Sequence, residues 1–290
     1  MINTKKCLIC KGGRKNDCLH WHVDCDTGDI WVWCQGKCQR GYSIYAYCHE
    51  AGISLRDFLK GEFDFKEARP NEVNRMDFPD QFITLSDPRA RPAIDYIRGR
   101  NLKIEGDMYY DMESQGVVFP YYFYDTFVGA QVRFMKPRVN EDGEEWKITT
   151  LPGTRLGLLF YGWNQGKFIT DIKGIIITEG AFNALSIYQS LNEVYDGVIN
   201  NPWKVVAVSG AGGSKHHIET VKELKDQGFK VILAPDSDEA GLKMLKKFNA
   251  GNAITHYAFT NDGDVDWNDM LKKLGHKDFA KYFLKRIKKV

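Results

Sequence analysis

From residue 173 onward, short uninterrupted apolar runs alternate with stretches of helical spacing. "GIIIT" precedes "AFNALSIYQSL", "KVVAVSG" precedes "HIETVKELKDQ", "FKVILAP" precedes "EAGLKMLKKF", and "AITHYAF" precedes the acidic "NDGDVDWNDML". Continuous apolar strands separated by amphipathic helices predict a parallel sheet covered on both faces. Upstream the period shortens. Residues 116–134, "GVVFPYYFYDTFVGAQVRF", alternate with aromatics and read as an antiparallel hairpin turning near residues 125–126. Before it, "DPRARPAIDYIRGRNL" predicts a helix ending near Gly99, with Ile94, Ile97 and Tyr96 inward. Residues 61–80 are charged, hold two prolines and show no period, as a linker would. In the head, residues 20–24 alternate as a strand, 26–29 form a turn and 30–33 return, while "SIYAYCHEAGIS" has helical spacing. The fold class expected is α/β: a small β-ribbon domain (1–60), the linker (61–80), an α+β subdomain (81–172), a parallel-sheet domain (173–262) and a C-terminal segment (263–290).

Composition narrows the class without naming a function. The chain has 290 residues, is 43% hydrophobic and 27% charged, and carries 40 basic against 38 acidic residues for a net charge of +2. That is an ordinary globular balance for about two domains, and it excludes a uniformly basic nucleic-acid coat, so any such contact must be local. No apolar run approaches the roughly 18 residues a membrane span needs, and "MINTKKCLIC" has no stretch suited to a signal peptide. A cytosolic protein with no membrane partner is expected.

All seven cysteines lie within the first 48 residues, with three of the seven tryptophans. In a reducing compartment, clustered cysteine points to metal rather than disulfides. Cys7 and Cys10 form a C-x₂-C turn, and Cys34 and Cys38 form a C-x₃-C turn 23 residues later. Two such turns joined by a hairpin supply the four thiolates of a tetrahedral zinc site, and a head this small needs such a staple to fold. His20, His22, Cys18 and Cys25 compete for a ligand position. Cys48 reads as a core thiol. Trp21, Trp31 and Trp33 either stack on unpaired bases or cover the hairpin.

Carboxylates fall where the predicted strands end. Glu179 follows the first strand and Asp236 and Asp238 follow the third, with Asp264, Asp266 and Asp269 after the fourth. In parallel sheets ligands collect at those strand ends. Several carboxylates converging there would repel unless a hard divalent cation joined them, and Mg²⁺ (or Mn²⁺) so placed serves phosphoryl or nucleotidyl transfer. Arg133, Lys136, Arg138 and Lys147 cluster around the end of the hairpin. His216 and His217, after the loop "GAGGSK", read as surface residues. The tail "HKDFAKYFLKRIKKV" reads as a basic amphipathic helix, either solvated or touching a partner.

"IIITEGAFNALS" and "VILAPDSDEAG" resemble the signature segments of the TOPRIM fold, and "VDWNDML" resembles the third acidic segment of primases. With "HWHVD…WCQGKCQRGYSIYAY" in the head, nearly the whole chain resembles a phage version of a DnaG-type DNA primase with an N-terminal zinc ribbon. The resemblance implies that 1–60 recognises template and that residues 173–262 are the TOPRIM domain. It implies RNA primer synthesis on single-stranded DNA from ribonucleoside triphosphates, in the cytoplasm of a bacterial host if phage-encoded. It assigns Glu179, Asp236 and Asp238 to catalysis. Together with Asp266 these hold Mg²⁺, while Cys7, Cys10, Cys34 and Cys38 hold Zn²⁺. Arg133, Lys136 and Lys147 take nucleotide and template. No G-x₄-G-K-[ST] loop is present, so a separate replicative helicase is the expected partner. Two rival readings are a TOPRIM-type nuclease, which uses the same acids, and a non-catalytic recombination mediator, which would not retain the acidic set.

Overall fold

The computed structural model describes residues 7–9, 19–23, 30–34, 38, 40–53, 75–105, 107–123, 126–139, 143, 145–163, 172–195, 197, 201–210, 212–260 and 265–290. The chain divides into two compact units, Met1–Glu72 and Val73–Val290.

The first unit is a three-stranded antiparallel sheet. β1 (Leu19–Val23) pairs with β2 (Ile30–Cys34), in the hairpin register Leu19↔Cys34 to Val23↔Ile30, so the returning strand delivers Cys34. A third strand that the alternation did not reveal, β3 (Arg40–Ser43), pairs with β2 and leads directly into α1 (Ile44–Ala51). Leu8, Leu19, Val32, Tyr42, Tyr47, Cys48 and Ala51 form its core, which places Cys48 as the buried thiol expected.

The larger unit holds two five-stranded sheets. The first runs in the order β4 (Phe82–Thr84), β5 (Tyr109–Asp111), β6 (Gly116–Phe123), β7 (Thr126–Val139), β8 (Glu145–Thr150), all antiparallel. Alternation sorts its side chains: Val118, Ala130 and Val132 face one small cluster, while Val117, Phe119 and Val128 face the main core. α2 (Arg91–Gly99) precedes β5 and buries Ala93 and Ile97 one turn apart.

The second sheet comes from the βα repeat. Its strands are β9 (Gly174–Thr178), β10 (Trp203–Ala207), β11 (Lys230–Leu233), β12 (His256–Tyr257) and β13 (Lys288–Lys289). They lie in the order β10-β9-β11-β12-β13, parallel except for β13. α3 (Ala181–Val194), α6 (Trp267–Leu274) and α7 (His276–Arg286) cover one face with Ile176, Val205 and Ile232. α4 (Lys215–Asp226) and α5 (Glu239–Ala250) cover the other with Ile175, Ile177 and Val231. "AITHYAF" forms a ladder only at His256 and Tyr257, extended by single bonds from Thr255 and Ala258.

Two expectations need correction. The C-terminal tail is not simply solvated. Phe279, Ala280 and Phe283 put one face of α7 into the main core against Trp267, the basic residues line the other face, and the chain then closes the sheet edge as β13. His217 is buried, not a surface residue. Its ring completes a capping box with Ser214 and contacts the Leu159 carbonyl at 2.9 Å. Burial pushes its pKa down to about 4, so it stays neutral at ordinary pH. Among the described residues, no helix is long and apolar enough to cross a membrane.

Candidate active site and cysteine centre

The strand order places a topological switch between β9 and β11. The chain leaves β9 toward β10 on one side, then crosses to β11 on the other. The crevice between two such strands, at their carboxyl ends, is where open parallel sheets bind ligands. Glu179 stands one residue beyond β9 and Asp236 three beyond β11. They meet there, the Asp236 backbone N–H donating to Glu179 Oε1 at 3.0 Å. Asp238 N-caps α5 by accepting from the Gly241 N–H at 2.8 Å, and Asp266 N-caps α6 by accepting from the Asp269 N–H at 2.8 Å.

The electrostatics record the convergence. Burial, then the charges of Glu179, Asp266 and Asp238, push the Asp236 carboxyl up from its ordinary 3.8 to about 7, against a hydrogen bond from Asn183. Glu179 is also raised, by burial and by Asp238. Asp236 thus feels the charges of the other three carboxylates and Glu179 that of Asp238, and no cation is among the causes of either shift. Their oxygens do not collapse onto one point: among the described residues, the three sulfurs below are the only set of three or more potential ligand atoms within 4.8 Å of one another. A donor set of hard oxygens with excess negative charge fits a divalent cation of the Mg²⁺ class. Asp264 lies outside the described residues.

Gly241 locks this rim to α5. A Cβ there would stand 1.9 Å from the Asp236 carbonyl oxygen and 3.0 Å from Glu179 Oε1. Gly241→Ala therefore has to push the strand end and the helix apart. We expect it to lower stability by about 1–3 kcal/mol, the usual cost of overpacking, and to weaken divalent-ion binding. Thermal melting with and without Mn²⁺ checks both, and an unchanged Mn²⁺-induced shift would refute the coupling.

The basic residues lie on the antiparallel sheet. Arg133 pairs across to Val117 and Ile148. It is half-buried, and its buried Nε has no hydrogen-bond partner among the described residues. Lys136, Arg138 and Lys147 are exposed. The β7–β8 register shifts between Arg133 and Arg138, so Lys136 and Lys147 lie in the irregular stretch rather than opposite each other. Trp146, beside Lys147, is 42% exposed and packs edge-on against Phe134. The sheet is tied to the acidic rim by Gln131, whose Nε2 donates to the Ser209 carbonyl at 2.7 Å, two residues past β10.

In the head, the sulfurs of Cys7, Cys34 and Cys38 lie within 4.8 Å of one another, Cys7 and Cys38 at 3.8 Å. The C-x₃-C spacing therefore does not keep Cys38 from the cluster. Three gathered sulfurs fit a tetrahedral thiophilic metal. Cys10, Cys18 and Cys25 lie outside the described residues, as do the side chains of His20, His22, Trp21, Trp31 and Trp33. The Leu8 backbone N–H donates to the Tyr47 hydroxyl at 2.7 Å, and burial together with Cys7 raises the Tyr47 pKa.

Sequence reasoning passed over one buried residue at the rim, Asn183, and met Asn268 only as the Asn of the Asp-x-Asn pattern in the third acidic segment. Asn183 lies four residues after Glu179 in the first turn of α3, and Asn268 two after Asp266, the N-cap of α6.

Comparison with known proteins bears on the fold. Residues 176–271 match the Toprim-like family model. No curated protein sequence matches the chain. Among solved structures, the DnaG catalytic core is similar at 17% identity, over 71% of this chain and 76% of that one, with a TM-score of 0.50. A DNA primase domain from Pseudomonas aeruginosa is similar at 16% identity, over 71% and 75%, with a TM-score of 0.49. The primase fragment of the bacteriophage T7 primase-helicase protein is similar at 16% identity, over 98% and 100%, with a TM-score of 0.43. The resemblance to a TOPRIM-containing DnaG-type primase thus holds at the level of fold: residues 176–271 are Toprim-like, and over 71% of its length the chain shares the fold of the DnaG catalytic core.

Proposed function

We propose that this chain is a DNA primase, making short RNA primers on single-stranded DNA by divalent-metal-dependent nucleotidyl transfer. The observation that supports the reading is the contact of Asp236 with Glu179 at the switch point of a Toprim-like sheet, with Asp238 and Asp266 near enough for their charges to act on Asp236. In this reading those four residues hold Mg²⁺ (or Mn²⁺). The bound ion would supply charge neutralisation at the α-phosphate and a more acidic 3′-hydroxyl. Arg133, whose buried Nε has no hydrogen-bond partner among the described residues, would bind a phosphate oxygen. Lys136 and Lys147, exposed on the same sheet, neutralise the template backbone. Zn²⁺ sits in the head on Cys7, Cys34 and Cys38 with Cys10 as the fourth ligand, and the head reads the template. A replicative helicase is the protein partner, and the cytoplasm is the setting, that of a bacterial host if the chain is phage-encoded.

The test is incubation of the zinc-loaded chain with mixed-sequence single-stranded DNA, labelled ribonucleotides and Mg²⁺. A ladder of short oligoribonucleotides is expected, and it should vanish in the Asp236→Ala/Asp238→Ala variant. Shortened DNA in its place would replace the primase with a nuclease. Tight DNA binding with neither product, with or without the cognate helicase, would leave the mediator.

A further inference from the structure

Behind the acidic rim runs a line of buried polar groups. Asn183 sits in the first turn of α3 and is 5% exposed. Its Nδ2 donates to Asp236 Oδ1 at 2.6 Å, and its Oδ1 accepts from the Asn268 backbone N–H at 3.1 Å. Both ends of the amide are used, which sets its orientation: nitrogen toward the carboxylate, oxygen toward α6. Asn268, 0% exposed, is held in turn. Its Nδ2 donates to Ser186 Oγ at 2.9 Å and to the Arg100 carbonyl at 3.0 Å, while its Oδ1 accepts from Arg100 Nη1 at 2.9 Å. The Arg100 guanidinium lies over the Phe182 ring at 4.3 Å and donates from Nη2 to the Tyr96 hydroxyl at 2.8 Å.

Such a chain is not needed to fill space. Two buried asparagines cost stability unless their amides are bonded, and apolar residues would pack α3 against α6 more cheaply. What it does supply is direction. A carboxylate among three others turns away from them when no cation is present. Asp236 is instead fixed by one oxygen to a donor that is itself fixed from both sides.

We propose that Asn183 is a positioning residue for the metal site, engaging one oxygen of Asp236 and leaving the other to the divalent cation, with Asn268 and Arg100 holding Asn183 in register. This rests on the metal-dependent reading given above. It makes Asp236 a pre-aimed ligand, and it extends the site to α2 and α6, whose residues touch no metal. Partners of this kind, bonded to a ligand but not to the ion, are worth roughly 10- to 100-fold in metal affinity.

The test uses the full chain with zinc bound and measures Mn²⁺ binding by electron paramagnetic resonance, with no nucleotide or DNA present. Asn183→Leu keeps the branched shape and the number of heavy atoms, in a somewhat larger side chain, and removes the amide. Asn183→Ser, whose hydroxyl is shorter, serves if leucine prevents folding. The expected result is Mn²⁺ binding weaker by roughly 10- to 100-fold in a variant whose zinc content and circular dichroism match the parent. Asn268→Leu keeps its backbone N–H and should weaken Mn²⁺ binding less than Asn183→Leu. Unchanged Mn²⁺ affinity in a folded Asn183 variant overturns the proposal. So does a loss of affinity that only tracks a lowered melting midpoint, when a core substitution of equal destabilisation, Phe248→Leu, produces the same loss. A parent chain that binds Mn²⁺ but makes no primers would defeat the primase reading and leave this inference standing.

Discussion

We expect Asp236→Asn to cut the proposed primer synthesis about 10³-fold and, in the absence of metal, to make the fold more stable at pH 8. The two effects share one cause. In the metal-free protein the Asp236 carboxyl titrates near 7 rather than 3.8, because it is buried among Glu179, Asp266 and Asp238. Between these values the folded chain keeps a proton that the unfolded chain has lost. Stability from this group is therefore complete below about pH 4 and drains away as pH rises through about 7. Asparagine never carries the charge, so its advantage is absent at pH 4, grows through pH 7 and is full at pH 8. Asn183 Nδ2 still finds an oxygen to bond. A tenfold change in proton affinity between the folded and unfolded chain corresponds to about 1.4 kcal/mol. The residue is partly solvated and shares its repulsion with three others, so the gain should be nearer 1–2 kcal/mol, or roughly 2–8 °C in melting midpoint for a domain of this size. Loss of one ligand to the catalytic ion should cost several kcal/mol of transition-state stabilisation, about 10³-fold in rate. Melting curves in a chelator at pH 4 and pH 8, beside the primer assay, measure both. A variant less stable than the parent at pH 8 would mean that repulsion does not govern the rim.

Cys34→Ser should release the metal and unfold the head while the larger unit keeps its own transition. Cys7 and Cys34 are fully buried and their sulfurs lie with that of Cys38. Among the described residues the core around them is Leu8, Leu19, Val32, Tyr42, Tyr47, Cys48 and Ala51. Such a core supplies only a few kcal/mol, whereas structural zinc contributes about 10–16 kcal/mol to comparable small domains. The substitution also leaves a hydroxyl among thiolates, a poorer ligand for a thiophilic ion. One zinc per chain in the parent and none in the variant is the expected elemental analysis, with loss of protection against proteolysis confined to residues 1–72. A metal-free variant that retains native protection there would show that the cysteines are only core thiols.

What could be read along the chain was read from short-range pattern. Parallel strands buried on both faces must be apolar throughout, and their crossover helices must be amphipathic. "GIIIT" and "KVVAV" with the helices after them therefore announced the α/β sheet before any contact was known. Glu179, Asp236 and Asp238 were legible because they fall within a few residues of strand ends, and every strand of a parallel set ends at the same rim, while Asp266 was marked by the third acidic segment. Cys34 was legible because an antiparallel hairpin returns a residue to where it began.

Tertiary structure decided what depends on distant partners. His217 lies in a helix start that looks solvated in sequence; the Leu159 carbonyl, 58 residues away, makes its site buried. The basic tail shows a charged face and an apolar one, and only the packing of Phe279 and Phe283 on Trp267 says which of them counts. Asn183 meets Asp236 across 53 residues, Asn268 across 85, and Asn268 meets Arg100 across 168. No local period marks a buried amide, because its partners are chosen by the fold and not by its neighbours in the chain. The sequence by itself determined the layers and the line of acids at their edge. Only the folded chain decided how those acids are aimed, because aiming a carboxylate takes hydrogen bonds from elements that sequence order keeps apart.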